Sequence, residues 1–228
     1  MSKQVPALEA KNLTKKYGEL VALAPLSLSI KAGQRVSLVG ANGSGKTTLL
    51  RLASGLLERS DGSIEIFGHK AGSLDARTLL SYLPDEPVLY DDLSVREHLQ
   101  YLGPLYGTPD WQTRAEDLMQ RLGIAHRADD LPSGFSRGLR QKTSLATGFL
   151  RPFDLLLIDE PFVGLDEPGR IALLGLLDEA TERGATVVVA SHQLDLVKKA
   201  DRCIALTDGA IVYDGSPDKV DLHKLVGA

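Results

Sequence analysis

The sequence predicts an α/β fold with a helical segment inserted into it, and three observations carry that prediction. Gly40-Ala41-Asn42-Gly43-Ser44-Gly45-Lys46-Thr47 is a complete G-x-x-x-x-G-K-[ST] phosphate-binding loop. It lies between a short apolar strand, Arg35–Val39, and a helical pattern over residues 47–57. Leu155-Leu156-Leu157-Ile158 is an unbroken apolar run, the composition of a strand buried on both faces. Between these two halves, over about 85–150, strand patterns give way to helical ones, so this block reads as an insertion.

In chain order, residues 7–13 alternate loosely, and Leu26-Ser27-Leu28-Ser29-Ile30 alternates cleanly, as strands do. Lys31-Ala32-Gly33-Gln34 turns the chain into the strand before the loop. After the loop, Leu49, Leu50, Leu52, Ala53, Leu56 and Leu57 recur at helical spacing. Asp61-Gly62 reads as a turn and residues 63–67 as a short strand. Ser94-Val95-Arg96-Glu97 is a capping box that opens a helix to about Leu102. Asp110 can cap a helix over 111–122 that Gly123 ends, and a third helix is expected over 138–150. The α/β pattern then returns: a helix over about 168–183, a strand over Thr186–Ala190, and a helix over 194–200. Residues 203–207 and 210–213, joined by Asp208-Gly209, read as a hairpin.

With 228 residues the chain makes one domain with room for a subdomain, here a single domain over 1–228 with the helical subdomain at about 85–150. The net charge of −4 carries no basic excess of the kind nucleic-acid binding needs. No stretch approaches the ~20 apolar residues of a membrane span, and the N-terminus lacks a signal-peptide core, so a cytoplasmic location is expected. The single cysteine, Cys203, sits in an apolar run and reads as a core residue.

The loop has a direct chemical reading. Its glycines let backbone N–H groups turn inward around phosphate oxygens, and the helix N-terminus adds partial positive charge. Lys46 can reach the β- and γ-phosphates, and the Thr47 hydroxyl can ligate Mg²⁺. A nucleoside triphosphate is the expected ligand. Asp159 and Glu160 follow the apolar strand directly. Alone, such a pair is a solvated turn. After a phosphate loop and an apolar strand, Asp159 is placed to hold Mg²⁺ through a shell water and Glu160 to orient and deprotonate an attacking water.

The order of the loop, Phe135-Ser136-Arg137-Gly138-Leu139-Arg140-Gln141-Lys142, the 155–160 segment, Gly164-Leu165-Asp166 and Ser191-His192 resembles the nucleotide-binding subunit of an ATP-binding-cassette (ABC) transporter, with a likeness to small exporter-type subunits. The resemblance covers nearly the whole chain. Its most diagnostic element is the signature segment, L-S-G-G-Q-R-Q-[KR] in the family. This chain keeps Ser136, Gly138, Arg140 and Gln141 and departs at Phe135, Arg137 and Leu139.

The resemblance implies a P-loop ATPase core with a parallel sheet, an antiparallel β subdomain and an inserted helical subdomain, using ATP and Mg²⁺. It implies that Tyr17 stacks on adenine and that Asn42, Ser44 and Thr48 join Gly40, Gly43, Gly45, Lys46 and Thr47 around the phosphates. It places Ser136 and Gly138 on the nucleotide of a second subunit, Asp166 in a loop crossing to that subunit, and His192 on the γ-phosphate. The family has a glutamine after a Tyr-x-Pro run; here Tyr82-Leu83-Pro84 is followed by Asp85, read equally as a metal ligand or a solvated acidic turn. The implied partners are membrane-spanning transporter subunits and a paired ATPase subunit, the same chain or a related one, with no nucleic acid. The chain would lie on the cytoplasmic face of the membrane and power transport, most naturally export. A soluble ABC-type ATPase of a cofactor-assembly system is the alternative.

Overall fold

The computed structural model describes residues 5–191 and 197–221. Its strands are β1 (Leu8–Tyr17), β2 (Leu20–Ile30), β3 (Arg35–Val39), β4 (Asp61–Ile66), β5 (His69–Lys70), β6 (Leu80–Leu83), β7 (Leu155–Asp159), β8 (Thr186–Ala190), β9 (Arg202–Thr207) and β10 (Ala210–Gly215). Its helices are α1 (Lys46–Ala53), α2 (Leu74–Leu79), α3 (Val95–Leu105), α4 (Trp111–Arg121), α5 (Arg137–Leu150) and α6 (Glu167–Glu182). Strands β2-β1-β4-β5 form an antiparallel sheet. Strands β10-β9-β3-β8-β7-β6 form a second sheet, parallel throughout except for the antiparallel β9–β10 hairpin.

The central strands β3, β8 and β7 of the second sheet are buried on both faces, and they show why the apolar run of β7 is unbroken. Leu155 and Leu157 of β7 join a cluster with α1 and the antiparallel sheet, whereas Leu156 and Ile158 join a cluster with α3 to α6. Strand β8 divides the same way, with Val188 and Ala190 on one face and Val187 and Val189 on the other. This is the two-residue period of a strand read against two apolar layers. Truncating Leu157, which is fully buried, to alanine would cost about 2–5 kcal/mol in transfer and cavity terms.

Helix α1 ends earlier than the leucine pattern implies. Gly55 takes φ 75°, its N–H reaches the Leu52 carbonyl at 3.2 Å, and the Leu56 N–H reaches the Arg51 carbonyl at 3.0 Å. These paired bonds close the helix at Ala53 and turn Leu56 outward, 66% exposed. Asp61 and Gly62 open β4 rather than making a turn, with Asp61 opposite Thr14 of β1.

Both bonds of the capping box are present: the Glu97 N–H donates to Ser94 Oγ at 3.3 Å, and the Ser94 N–H to Glu97 Oε2 at 2.7 Å. Helix α3 runs three residues past the expected end, to Leu105. Asp110 precedes α4 as expected, but in a left-handed conformation and without a side-chain cap bond. The sequence did not announce α2 or β6, the latter an edge strand of four residues paired to β7. Residues 194–196 of the expected helix over 194–200 lie outside the described residues, and of 197–200 only Val197 is helical, the rest being turn and bend.

The hairpin turn has φ 48° at Asp208 and 75° at Gly209, the pair of positive angles a tight two-residue turn requires. That turn buttresses the phosphate loop, since the Gly209 N–H donates to the Ser44 carbonyl at 3.0 Å. Cys203 is buried in β9, and burial pushes its thiol up to about 11. Among the described residues, no helix is long and apolar enough to cross a membrane.

Candidate functional site

Parallel strands β3, β8 and β7 lie side by side, so their C-terminal ends open on one edge of the sheet. Ligands of open α/β sheets bind at such an edge. The phosphate loop leaves β3 there. Gly40, at φ 148°, admits no other residue, because a Cβ would overlap the Leu206 carbonyl oxygen. Gly45 takes φ 105° at the start of α1, with the Ala22 carbonyl oxygen 3.0 Å from where a Cβ would be. Ala41, Asn42 and Gly43 are exposed, Ser44 and Lys46 buried, and Thr48 half-buried. Lys46 Nζ folds back on the carbonyls of Gly40 at 2.7 Å and Ala41 at 3.2 Å. Its ammonium therefore lies inside the loop, over the ring of amides that would receive phosphate oxygens.

At the end of β7, Asp159 Oδ2 accepts from Thr47 Oγ1 at 2.6 Å. Burial raises the Asp159 carboxyl above the ordinary aspartate range; the Thr47 bond opposes that, and the charges of Glu160 and Asp85 add to it. Asp159 Oδ1 and Ser44 Oγ are both buried without a hydrogen-bond partner among the described residues. Buried polar atoms of this kind call for a missing partner. A hydroxyl and a carboxylate that can both turn to one point, beside an orphan carboxylate oxygen, suit a hard divalent cation that takes its remaining oxygens from phosphate and water. The residues present fit Mg²⁺.

Glu160 continues the β7–β8 ladder, its N–H donating to the Ala190 carbonyl at 2.8 Å, and then departs from strand geometry with φ 42°. That angle is unfavourable for a non-glycine residue and re-aims its side chain at the strand end. The loop beyond is tied to α5, because Gln141 Nε2 donates to the Pro161 carbonyl at 3.2 Å. Ser191 follows β8, its N–H on the Leu38 carbonyl at 3.1 Å. His192 lies outside the described residues.

Ser136 caps α5, accepting from the Leu139 N–H at 3.3 Å. Gly138 packs on the loop after β7 so closely that a Cβ would overlap the Gly164 carbonyl oxygen. Asp166 caps α6 through the Gly169 N–H at 3.0 Å and pairs with Lys142 Nζ at 2.7 Å, and the Lys142 bond holds its carboxyl below the usual range. Ser136, Gly138, Leu139, Lys142, Gly164 and Asp166 line one cleft of about 190 Å³, and no residue of the phosphate loop is among them. The sequence-predicted residues therefore form two groups, one at the loop and β7, the other at the start of α5.

Tyr17 is 49% exposed at the end of β1, with Lys15 Nζ 4.8 Å from its ring centre. The returning strand β2 passes Gly45 at Ala22, so the Tyr17 hairpin rises beside the loop. Asp85 lies two residues beyond β6, where its carboxylate accepts from Arg137 Nη2 at 3.0 Å. Sequence reasoning missed that partner, and it missed His98. The His98 ring is buried, donating through Nδ1 to the Ser94 carbonyl at 2.7 Å and accepting the Tyr90 N–H on Nε2 at 2.9 Å. Only the four-residue spacing of Ser94 and His98 hints at the first of these bonds.

A family model described as ABC transporter matches residues 23–163. The SkfA peptide export ATP-binding protein SkfE of Bacillus subtilis (strain 168) is 34% identical over 210 residues, covering 91% of this chain and 88% of that protein. Among solved structures, an ATP-binding subunit of an ABC transporter superposes with a TM-score of 0.88 at 32% identity, covering 97% of this chain and 95% of that one. A dimeric ATP-binding cassette in a post-hydrolysis state, bound to ADP and Pi, superposes with a TM-score of 0.83 at 25% identity, covering 92% of this chain and 98% of that one.

Proposed function

The chain belongs to the ABC transporter family, as an ATP-hydrolysing subunit, and from that premise we propose how its residues do the work. The observation that carries the reading is the Thr47–Asp159 contact at the foot of the loop, with one Asp159 oxygen left over. Lys46 swings from the Gly40 carbonyl to the β- and γ-phosphates. The inward amides of the loop and the Ser44 and Thr48 hydroxyls take further phosphate oxygens, and Tyr17 covers the base. Thr47 and, through water, Asp159 would hold Mg²⁺, which when bound would supply neutralisation of phosphate charge. Glu160 orients the attacking water in line with the γ-phosphorus and takes its proton, with His192 contacting the γ-phosphate. The leaving ADP oxygen is left facing Lys46 and the amides of the loop.

The separation of the two residue groups supports a site shared between subunits. Ser136, Gly138 and Asp166 would close on the nucleotide held by a second copy or a related chain. The block over 85–150 would move with them as a subdomain. The exposure of Val88 and Tyr90, 85% and 53%, supports a docking surface there for membrane-spanning subunits, which would hold this chain at the cytoplasmic face. The relative from Bacillus subtilis is an export protein by name, which favours export over import and transport over an assembly role. The reading is tested by Glu160→Gln, which should bind ATP, hydrolyse it about 10²–10⁴-fold more slowly and accumulate a dimer. Undiminished turnover would remove Glu160 from the reaction.

A further inference from the structure

Two positions at which this chain departs from the family pattern lie against each other. Asp85 replaces a neutral glutamine and Arg137 replaces a glycine, and the two form an ion pair at 3.0 Å. The side chains are 46% and 59% exposed. A pair so open to water adds little to stability, so its significance is in what it joins.

Asp85 lies at the metal end of the sheet. Strand β6 pairs with β7 in the register Leu83 to Ile158, and Asp159 is the next residue of β7. An unpaired carboxylate beside Asp159 and Glu160 has two energetic outcomes. It repels them, or it joins them on a shared cation. Arg137 sits at the first position of α5, next to Ser136, with its Cγ 3.4 Å from where a Cβ on Gly164 would be. The Arg137 side chain therefore bridges the loop after β7, through its stem, and the loop after β6, through its guanidinium, and both loops begin at the C-terminal ends of paired strands β6 and β7.

We propose that Arg137 is a positioning residue: it holds the Asp85 carboxylate out of the metal site and ties the loop entering the helical block to the start of α5. The charge that replaces the glutamine is balanced within the same chain, and the Ser136–Gly138 segment is registered against the loop that begins at Asp85. The inference rests on the proposed reading that Thr47 and Asp159 hold the cation.

The experiment uses the purified chain, a fluorescent ATP analogue and titrated Mg²⁺, with ATP turnover and Tm measured alongside. Arg137→Ala frees Asp85 to join the cation, so the Mg²⁺ concentration for half-maximal analogue binding should fall about three- to tenfold, the size of a direct pairwise coupling. Asp85→Gln alone should leave that concentration within about twofold of wild type, and Asp85→Gln/Arg137→Ala should return it there. Tm should stay unchanged in all three, as expected of an exposed pair. A shift that persists in the double variant, no shift in Arg137→Ala, or a fall in Tm that the double variant does not recover would each overturn the proposal. Asp159→Asn in the same assay separates the two layers: if it leaves the Mg²⁺ dependence intact, the reading of the metal site fails, whatever Arg137 does.

Discussion

Thr47 Oγ1 donates to Asp159 Oδ2 at 2.6 Å, joining the first turn of α1 to the end of β7 across 112 positions of sequence. The bond closes the loop against the strand before any nucleotide arrives. It also keeps a carboxylate that is 1% exposed next to a hydroxyl instead of water. Holding the carboxylate there carries an electrostatic cost, because Asp159 is buried and one of its oxygens has no hydrogen-bond partner among the described residues.

That cost has a measurable sign. Burial raises the folded-state pKa of Asp159 above its unfolded value, so the folded state binds the proton more tightly. Stability is then lost as pH rises from the ordinary aspartate range through the raised pKa. Asp159→Asn, which removes the charge that burial disfavours, should raise the Tm of the nucleotide-free protein above the ordinary aspartate range. The gain should vanish below the ordinary aspartate range, where both states are protonated. The same variant should weaken Mg²⁺-dependent ATP binding by about 10–100-fold, as loss of a residue acting on the metal through water does. A destabilised variant with unchanged Mg²⁺ dependence would contradict both expectations.

Lys46→Ala and Glu160→Gln should fail at different steps. Lys46 is buried, its ammonium held on the Gly40 and Ala41 carbonyls of the phosphate loop. Without it, ATP affinity should drop by at least about tenfold, in line with loss of a charge-assisted contact. Glu160→Gln keeps the shape and the backbone bond to Ala190, so affinity should remain while single-turnover hydrolysis slows. Equilibrium binding and single-turnover rates, measured on both variants, distinguish the two outcomes.

Much of this site was legible because its residues are adjacent in sequence. Strands over 35–39 and 186–190 match the expected bounds to the residue, since a strand buried on both faces is mostly apolar, with Ser37 the one polar side chain inside β3. The capping box gave the start of α3 because its two bonds lie within four residues. The end of α1 was misread because Leu56 and Leu57 continue the helical spacing, while the paired turn bonds at Gly55 decide where the helix stops. The Asp85–Arg137 pair left no local signal: 52 positions separate its partners, and only the packing of α5 beside β6 brings them together. Strand β6 escaped notice for the same reason, as four residues at a sheet edge show no period of their own.

Tyr90 offers a test of the docking surface. Its backbone is fixed by the bond to His98, and its ring meets Tyr101 edge-on at 5.9 Å while remaining 53% exposed. An aromatic group held in place and facing water is suited to a partner. Tyr90→Glu and Val88→Glu should leave basal ATP turnover within about twofold and Tm within about 2 °C, as exposed substitutions do. Both should reduce co-purification with a membrane subunit. Leu89 is half-buried, so a charge there should lower Tm instead. Intact co-purification with the first two variants would place the docking surface elsewhere.

The shared site can be tested by mixing subunits, and the structure dictates which variants to mix. A substitution at Gly138 is unsuitable, because any Cβ overlaps the Gly164 carbonyl within the same chain and confounds folding with contact. Ser136→Asp avoids this. Aspartate caps a helix as well as serine does, so the bond to the Leu139 N–H survives, yet the carboxylate would face the γ-phosphate of the other subunit. Ser136→Asp and Lys46→Ala should each be inactive alone. Combined under conditions of subunit exchange, half of the dimers are mixed. In a mixed dimer one site carries both defects and the other carries neither, so about a quarter of wild-type activity should return, by the symmetry of a two-fold assembly. If each chain closed its own site, every site in the mixture would keep one defect and no activity would return.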